Sequence, residues 1–269
     1  MNKYLKEGLR KVLPRALRRH RILGGPLRGI SIVTSWHDYP GAILGTTERA
    51  LLNCFAAHVQ PGETWLDVGA HYGYTAIALS RLVGPSGRVF AFEPMLNTAG
   101  CIARARSLNN FSQLTIIPMA LSNCTDVAID SLQTVRGMVD STLAVSSGFK
   151  ENFMVSQLDW LWPKISGRDD QIDGIKIDVQ GMEVNVLEGM SALLTRWRPT
   201  LLVELHSGVS RPRLLELIAS VGYQPTGVAV EPLPGETDPL YADDHTYRFI
   251  PEVSDPVPHA SSARISARF

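Results

Sequence analysis

Acidic side chains close several apolar segments of this sequence, and they are the first candidates for chemistry. They are Asp67, Glu93, Asp178 and Glu204, and His206 follows two residues after the last of them. Because side chains alternate along a strand, Glu204 and His206 share one face. A carboxylate beside an imidazole can remove a proton from a reacting group near neutral pH. The pattern therefore predicts an acid/base cluster at one edge of a sheet.

Asp67 precedes a turn that contains Gly69 and Gly73. The turn lies between a predicted strand and a predicted helix, so its free N–H groups favour lone-pair-rich ligand atoms. Asp67 would repel a phosphate there and instead suits a hydroxyl or ammonium donor. A dinucleotide fingerprint that starts at Gly69 would need glycine at two positions that hold His71 and Tyr74. The turn therefore does not fit a dinucleotide.

Glu93 lies near the end of a second predicted strand, 88–94. In a doubly wound sheet that starts with strand 64–68, the carboxyl end of the second strand lies beside the glycine turn. An acid at that place can accept hydrogen bonds from both hydroxyls of a ribose. The alternative for Glu93 is a helix cap or a surface acid.

Asp178 is the candidate proton acceptor. It lies near the end of a fourth predicted strand, 171–179, which neighbours the first strand in such a sheet, so its carboxylate should face the ligand crevice. Burial beside Glu204 would raise its proton affinity, while His206 needs little help to work near neutral pH. In the alternative, Asp178 caps the following helix, and Glu204 and His206 bond only to backbone.

The elements that position these residues alternate between apolar strands and amphipathic helices. Strands are predicted at 30–36, 64–68, 88–94, 114–117, 171–179 and 199–206. Helices are predicted from His71 onward and at 46–57, 96–108, 182–195 and 213–221, with a closing hairpin of 223–230 and 246–250. This order predicts an α/β fold with a doubly wound, mostly parallel sheet and an antiparallel closing hairpin.

The two ends and one internal stretch fall outside this alternation. Residues 1–45 form a basic amphipathic extension, 46–251 the main domain, and 252–269 a tail whose Pro, Ser and Ala content predicts disorder. Residues 124–157 are predicted to be an irregular insertion in which the only candidate strand is 127–129, and the insertion either sets acceptor specificity or is a plain surface loop. Residues 1–23 carry leucines at every fourth position among basic residues. That pattern predicts a helix that lies on an anionic membrane or packs on the domain.

Composition argues against several classes of protein. Residues 1–28 hold nine Lys and Arg, whereas residues 29–269 hold 17 basic and 25 acidic residues, so nucleic acid is not an expected partner of the domain. The three cysteines form no Cys-x-x-Cys pair, which argues against a disulfide framework and a zinc knuckle. No apolar stretch reaches the roughly 18 residues of a membrane span, and no secretory signal is recognisable. We expect a reduced, soluble, cytoplasmic protein, with any contact to the inner face of the membrane confined to residues 1–23.

Five sequence blocks, taken together, resemble the FkbM family of methyltransferases. In chain order they are 66–74, 89–94, 157–159, 175–189 and 199–206. The spacing of Asp67, Gly69 and Gly73 by itself resembles the cofactor loop of class I methyltransferases. The resemblance implies a class I methyltransferase (Rossmann-like) fold with a seven-stranded sheet and S-adenosyl-L-methionine as methyl donor. It also implies O-methylation of a hydroxyl on a sugar, polyketide or similar natural product, so the expected partner is a small-molecule or glycan acceptor.

With this cofactor, roles can be assigned to individual residues. The residues expected to contact the cofactor are Asp67, Gly69, His71, Gly73, Glu93, Ala120 and Leu121. The loop that holds Ala120 and Leu121 is expected to flank the adenine. The expected catalytic residues are Asp178, Glu204 and His206. No metal site and no oligomeric state are assigned.

Two positions depart from the family pattern. His71 stands where the family commonly has Asn, and both residue types tolerate the backbone of such a turn. Gln180 stands where Glu is common, which removes a charge and keeps open a catalytically silent cofactor-binding or scaffold protein of the same fold. A nicotinamide oxidoreductase, a hydrolase and a kinase are disfavoured, because their glycine, serine and phosphate-loop motifs are absent.

Overall fold

The computed structural model describes residues 12–135, 138–139, 149–167 and 170–252. The strands are β1 (Arg18–Arg21), β2 (Ser31–Thr34), β3 (Thr64–Val68), β4 (Arg88–Phe92), β5 (Leu114–Ile117), β6 (Ala120–Leu121), β7 (Ala128–Val135), β8 (Met138–Val139), β9 (Phe149–Ser156), β10 (Gly174–Ile177), β11 (Thr200–Leu205), β12 (Val228–Ala229) and β13 (His245–Phe249). The helices are α1 (Pro40–Leu44), α2 (Arg49–His58), α3 (Tyr74–Val83), α4 (Leu96–Asn109), α5 (Leu158–Ile165), α6 (Glu183–Glu188), α7 (Ser191–Trp197) and α8 (Arg211–Ser220).

Seven strands form the main sheet in the order β12-β13-β11-β10-β3-β4-β5. The five strands from β11 to β5 in this order run parallel, and β13 pairs antiparallel with both β11 and β12. The predicted doubly wound, mostly parallel sheet with an antiparallel closing hairpin is confirmed. Val68, Phe92 and Ile177 pair side by side, so the loops that follow β3, β4 and β10 meet at one edge.

Alternating side chains of β3 pack into two apolar layers, one on each face of the sheet. Leu66 and Val68 join a cluster that contains Trp162, whereas Trp65 joins a second cluster with Phe55. The rings of Trp65 and Phe55 meet edge to face, with centroids 5.8 Å apart. Burial on both faces fixes the register of β3, because a slip of one residue would exchange the two layers.

The segment predicted as an irregular insertion is instead a second sheet, which we call the arm. Its strand order is β6-β9-β7-β8, with β7 antiparallel to β9 and β6 parallel to β9. Phe153 and Val155 are buried on one face, while Ile129 and Met154, which pair across the strands, are exposed on the other. An exposed apolar face blurs the alternation of polar and apolar residues that marks a strand, which is why the arm escaped prediction.

The helix predicted at 182–195 is two helices, α6 and α7, which are separated at Gly189 and Met190. Gly189 lies against the loop after β6, where an added Cβ would come within 1.9 Å of the carbonyl oxygen of Ser122. The chain therefore breaks the helix where its backbone touches that loop. The apolar periodicity continues across the break, so the sequence pattern alone gave one helix.

The helix predicted over residues 1–23 is wrong for residues 18–21, and residues 1–11 lie outside the described part. Arg18–Arg21 form β1, antiparallel to β2, after Pro14 has removed a backbone donor. The side-chain amide of Asn109 in α4 bonds to both backbone groups of Ser31, at 2.9 and 2.7 Å. These two hydrogen bonds attach the β1–β2 ribbon to the main domain, whereas the sequence predicted an extension outside that domain.

The structure does not test the predicted boundary between the main domain and the C-terminal tail. Residues 253–269, which make up most of the predicted tail, lie outside the described part. Among the described residues, no helix combines the length and apolar character that crossing a bilayer requires.

Candidate active site

A cavity of about 320 Å³ opens at the edge of the main sheet where the loops after β3, β4 and β10 meet. Gly69, Glu93 and Asp178 line it from these loops, and Asp130 and Phe153 line it from the arm. The arm therefore forms the wall opposite the sheet. A cavity of this size at the carboxyl ends of parallel strands is where α/β proteins bind small ligands.

Most of the residues predicted to hold a cofactor line this cavity. They are Gly69, His71, Glu93, Ala120 and Leu121. Asp67 and Gly73, which were also predicted to contact the cofactor, do not line it. The structure therefore places these two residues beneath the cavity, where they stabilise the elements that form it.

Asp67 lies fully buried beneath the glycine turn. Its carboxylate accepts a hydrogen bond of 2.6 Å from Thr75 Oγ1 and lies 3.3 Å from Lys176 Nζ. Asp67 therefore joins the start of α3 to β10 instead of facing a ligand. Gly73 begins α3 with φ of 82°, and an added Cβ would lie 2.9 Å from Ile102. Its role is close packing.

Glu93 faces the cavity with a fixed orientation. Its carboxylate accepts hydrogen bonds from the backbone N–H of His71 at 2.7 Å, the backbone N–H of Met95 at 3.0 Å and Thr98 Oγ1 at 2.8 Å. Burial raises the pKa of Glu93 to about 7, although these three bonds favour the charged form. Glu93 is not the N-cap of α4, which is Met95, but its bonds to Met95 and Thr98 hold the start of that helix while its carboxylate lines the cavity.

The turn itself is shaped by two left-handed residues, Gly69 at φ of 82° and His71 at φ of 51°. An added Cβ at Gly69 would lie 1.8 Å from the carbonyl oxygen of Asp178, so only glycine lets the two loops touch. His71 Nε2 is buried and finds no hydrogen-bond partner among the described residues. Burial lowers the pKa of His71 to about 4, so its ring is neutral near pH 7.

The three predicted catalytic residues come together beside the cavity. His206 Nε2 lies 3.5 Å from Asp178 Oδ1 and 3.7 Å from Glu204 Oε1. Of the three, only Asp178 lines the cavity, and His206 lies behind it. Asp178 does not cap a helix, since α6 begins at Glu183 without a side-chain cap. The alternative in which Glu204 and His206 bond only to backbone is also wrong.

Lys176 is buried beneath this cluster and was not predicted. Its Nζ lies 3.2 Å from Asp178 Oδ2 and also donates to the carbonyl oxygen of Gly69 at 3.3 Å. Burial opposes the charge of Asp178, but Lys176 and His206 outweigh it and lower the pKa of Asp178. Burial and the nearby charge of Asp178 raise the pKa of Glu204 to about 7. The sequence did contain a signal for Lys176: it lies two positions before Asp178 in an apolar strand, which places both side chains on the same face.

Glu183 and Gln180 hold the two ring nitrogens of His206 and were also missed as site residues. Glu183 Oε1 lies 2.7 Å from Nδ1, and Gln180 Nε2 lies 2.9 Å from Nε2. Burial opposes protonation of His206, but Glu183 and Asp178 outweigh it and raise its pKa. In the sequence, an acid two residues after Gly181 and at the start of a predicted helix could have pointed to Glu183, which the structure buries completely.

The sequence profile of the methyltransferase FkbM domain matches residues 67–225, which is more than half of the chain. The chain belongs to the FkbM methyltransferase family. It therefore has the class I methyltransferase fold that the sheet order shows, and S-adenosyl-L-methionine is its cofactor.

Solved structures align with this chain at low sequence identity. An FkbM methyltransferase from Methylobacillus flagellatus KT is 17% identical, with a TM-score of 0.46, and the match covers 78% of this chain and 52% of that one. This FkbM-family chain thus spans about half the length of that protein. A SAM-dependent O-methyltransferase from Thermotoga maritima is 15% identical, with a TM-score of 0.44 and coverage of 78% and 66%.

A third structure, Aeropyrum pernix fibrillarin with bound S-adenosyl-L-methionine, is 13% identical, with a TM-score of 0.44 and coverage of 87% and 82%. No curated protein sequence matches the chain. These similarities are too weak to assign roles to residues, so the residue roles in this FkbM-family chain come from its own geometry.

The cavity suits S-adenosylmethionine by the chemistry of its walls. The cofactor carries a sulfonium and an ammonium, both positive, together with ribose hydroxyls and a flat adenine. Glu93, Asp130 and Asp178 line the cavity with carboxylates, which favour these cations and hydroxyl donors. Leu121 and Phe153 supply apolar surface for a base. A phosphorylated ligand would meet repulsion in the same place.

The cluster in this FkbM-family chain also has the spacing of a cation site. Donor atoms of Asp178, Glu204 and His206 lie within 4.8 Å of one another, a spacing that a divalent ion can bridge. Lys176 Nζ already lies against Asp178, and Gln180 Nε2 against His206. Lys176 and Gln180 would therefore compete with a cation for these donor atoms.

Proposed function

We propose that this chain transfers a methyl group from S-adenosylmethionine to a hydroxyl of a small-molecule or glycan acceptor. The observation that carries the proposal is the convergence of Asp178, Glu204 and His206 at the cavity edge. A hydroxyl must lose its proton as it is methylated, and a carboxylate backed by an imidazole provides a place for that proton. Sugars, polyketides and similar natural products carry such hydroxyls.

Glu93, Gly69, His71, Ala120 and Leu121 are proposed to hold the cofactor. Glu93 would accept hydrogen bonds from the ribose hydroxyls, because its carboxylate is fixed by three donors and faces the cavity. The loop of Ala120 and Leu121 would flank the adenine. The unpartnered Nε2 of His71 supplies one further polar contact at the turn.

Asp178 is proposed to receive the acceptor hydroxyl, and His206 to take up its proton. Bound S-adenosylmethionine supplies a methyl group on a positively charged sulfur that leaves as a neutral thioether. Asp178 is charged because Lys176 lowers its pKa, so it orients the hydroxyl well but binds a proton weakly. His206 lies 3.5 Å behind Asp178 and is the stronger base. Positioning and proton removal are thus divided between two side chains.

A small acceptor also suits the charge of the domain. Residues 29–269 hold 25 acidic and 17 basic residues, which disfavours a polyanionic partner such as nucleic acid. A cytoplasmic location accords with the free thiols of Cys54, Cys101 and Cys124. Contact of residues 1–23 with anionic lipid remains a separate proposal.

The test is a methyl-transfer assay with cofactor labelled in its methyl group and a panel of sugars, nucleotide sugars and hydroxylated polyketides. Release of methanol from the product by ether cleavage would identify an O-methyl group. Calorimetry of the same preparation with S-adenosylmethionine gives the affinity. Tight binding without turnover on any hydroxylated acceptor would favour the silent scaffold instead. Methylation of RNA in preference to the panel would contradict the proposed acceptor class.

A further inference from the structure

The two ring nitrogens of His206 have different partners, and the first partner is an acid. His206 Nδ1 lies 2.7 Å from Oε1 of Glu183, a side chain with no exposed surface. The same oxygen accepts the backbone N–H of Gly181 at 3.1 Å. A carboxylate can only accept, so the Nδ1 atom of His206 must carry a hydrogen.

The second partner of His206 is an amide. Nε2 lies 2.9 Å from Nε2 of Gln180, and an amide nitrogen can only donate. The His206 Nε2 atom must therefore be the acceptor and carry no hydrogen. The same amide nitrogen lies 3.5 Å from Asp178 Oδ1, so its two hydrogens are divided between the imidazole and the carboxylate. With the Gln180 amide in this orientation, a neutral His206 with its hydrogen on Nδ1 satisfies these contacts.

We propose that Glu183 is a positioning residue that holds His206 in this tautomer, so that Nε2 takes the acceptor proton, and that Gln180 covers Nε2 until then. The proposal rests on the proposed hydroxyl methylation and deepens it. Glu183 does not line the cavity, so it would act on the reaction through His206.

Gln180 lines the cavity whereas His206 does not, so the amide stands between the acceptor and the base. When the acceptor oxygen bonds to the methyl carbon, the carbon–sulfur pair stays on sulfur and the hydroxyl proton moves to His206 Nε2. A half-turn of the Gln180 amide then presents its oxygen, which can accept from the new N–H. One side chain thus serves both protonation states of the ring.

Charged groups from every neighbouring element act on the protonated ring. They are Lys176 in β10, Asp178 after β10, Glu183 in α6, Glu204 in β11, and Arg211 in α8, whose guanidinium donates to the carbonyl oxygen of His206 at 2.6 Å. The acids nearest the ring stabilise the imidazolium. A glutamate at position 180 would add one more acid 2.9 Å from Nε2 and would hold a proton there before any acceptor arrives. Glutamine at this position therefore adds no further charge that would hold a proton on His206.

The experiment is ¹⁵N NMR of the histidine rings in the full chain, without acceptor, over pH 5–9. The signal of His206 is the one lost in His206→Gln. We expect the Nδ1–H tautomer at the alkaline end. Glu183→Gln keeps an acceptor oxygen but removes the charge, so it should lower the pKa of His206 by about one unit and turnover by about 10²-fold, with cofactor affinity unchanged. Gln180→Glu should raise the pKa of His206 instead.

Glu188→Gln, the same change at the half-buried last residue of α6, where the acid pairs with Arg213, is the matched control and should alter neither the titration nor the tautomer. An Nε2–H tautomer at pH 9, or an unchanged titration in Glu183→Gln, would overturn the proposal. Turnover of Glu183→Gln that matches the parent chain would also overturn it. If the tautomer is as expected but no hydroxyl is methylated, the proposed function is wrong, whereas the conclusion that Glu183 sets the tautomer of His206 is still supported.

Discussion

Glu93 Oε2 accepts the backbone N–H of His71 at 2.7 Å and so ties the carboxyl end of β4 to the glycine turn after β3. His71 has a left-handed backbone, which is costly for a residue with a side chain, and this hydrogen bond helps to hold it there. One carboxylate therefore shapes the cofactor loop and lines the cavity. In the proposed cofactor site, Glu93 therefore couples binding of the cofactor to the conformation of the turn.

Glu93→Ala should weaken S-adenosylmethionine binding by about 1–3 kcal/mol, because it removes charge-assisted hydrogen bonds. Calorimetry measures the change. Glu216→Ala, which removes an exposed acid paired with Arg213, is the control and should bind like the parent chain. Equal affinity in the Glu93 variant would show that the ribose is held elsewhere.

Cofactor affinity should rise with pH across neutrality. Burial raises the pKa of Glu93 from 4.5 to about 7, so the charged form that accepts ribose hydroxyls is a minority at pH 6 and the majority at pH 8. Affinity should then increase up to about tenfold over this range. Because the folded pKa exceeds the unfolded one, the same group makes folding less favourable as pH rises from about 4.5 to 7. Calorimetry at three pH values tests this, and Glu93→Gln should bind with no such slope.

The sequence was enough to predict the parallel core of the fold. Strands β3 and β5 begin and end where the apolar runs at 64–68 and 114–117 do, because glycine, proline and polar turns bound them. The order of strands then places Asp178 and Glu93 on either side of the glycine turn. Sheet topology follows strong local signals, so these residues could be named before the structure.

Other parts of the site depend on contacts that no local pattern encodes. Asp67 looks like a ligand contact in the sequence, yet it faces Lys176 and Thr75 because the strand alternation turns its side chain away from the cavity edge. The arm was missed because it gains its order from pairing between β7 and β9. Glu183 meets His206 only because α6 packs beside the end of β11, 23 residues later in the chain.

Lys176→Met should destabilise the fold by about 3–5 kcal/mol, since it leaves Asp67 buried without its cation. Urea denaturation gives the free energy of unfolding. Lys164→Met is the control, because Lys164 lies exposed over the ring of Trp160 and should cost less than about 1 kcal/mol. A loss below 1 kcal/mol in the Lys176 variant would mean that Asp67 is protonated or solvated.

Residues 1–11 should carry any affinity for anionic lipid, because the following β1 belongs to the folded domain. Deletion of residues 1–11 keeps β1 intact, whereas deletion of 1–23 would remove a paired strand. Sedimentation with vesicles of phosphatidylserine and phosphatidylcholine should pull down the full chain and not the shortened one. Equal sedimentation of both forms would favour a segment that packs on its own domain.

Asp178→Asn and His206→Ala should each reduce turnover by about 10²–10⁴-fold while cofactor binding persists, since both act on the acceptor proton. His206→Ala should lose more at low pH than at high pH, because hydroxide can replace a missing base. Asp170→Asn, which removes the half-exposed partner of Arg88 far from the cluster, is the matched control and should keep normal turnover. Calorimetry confirms that each variant binds cofactor before its rate is read. Near-normal rates in both site variants would mean that the proton leaves by another route, and His206 would then be a structural partner of Glu183 alone.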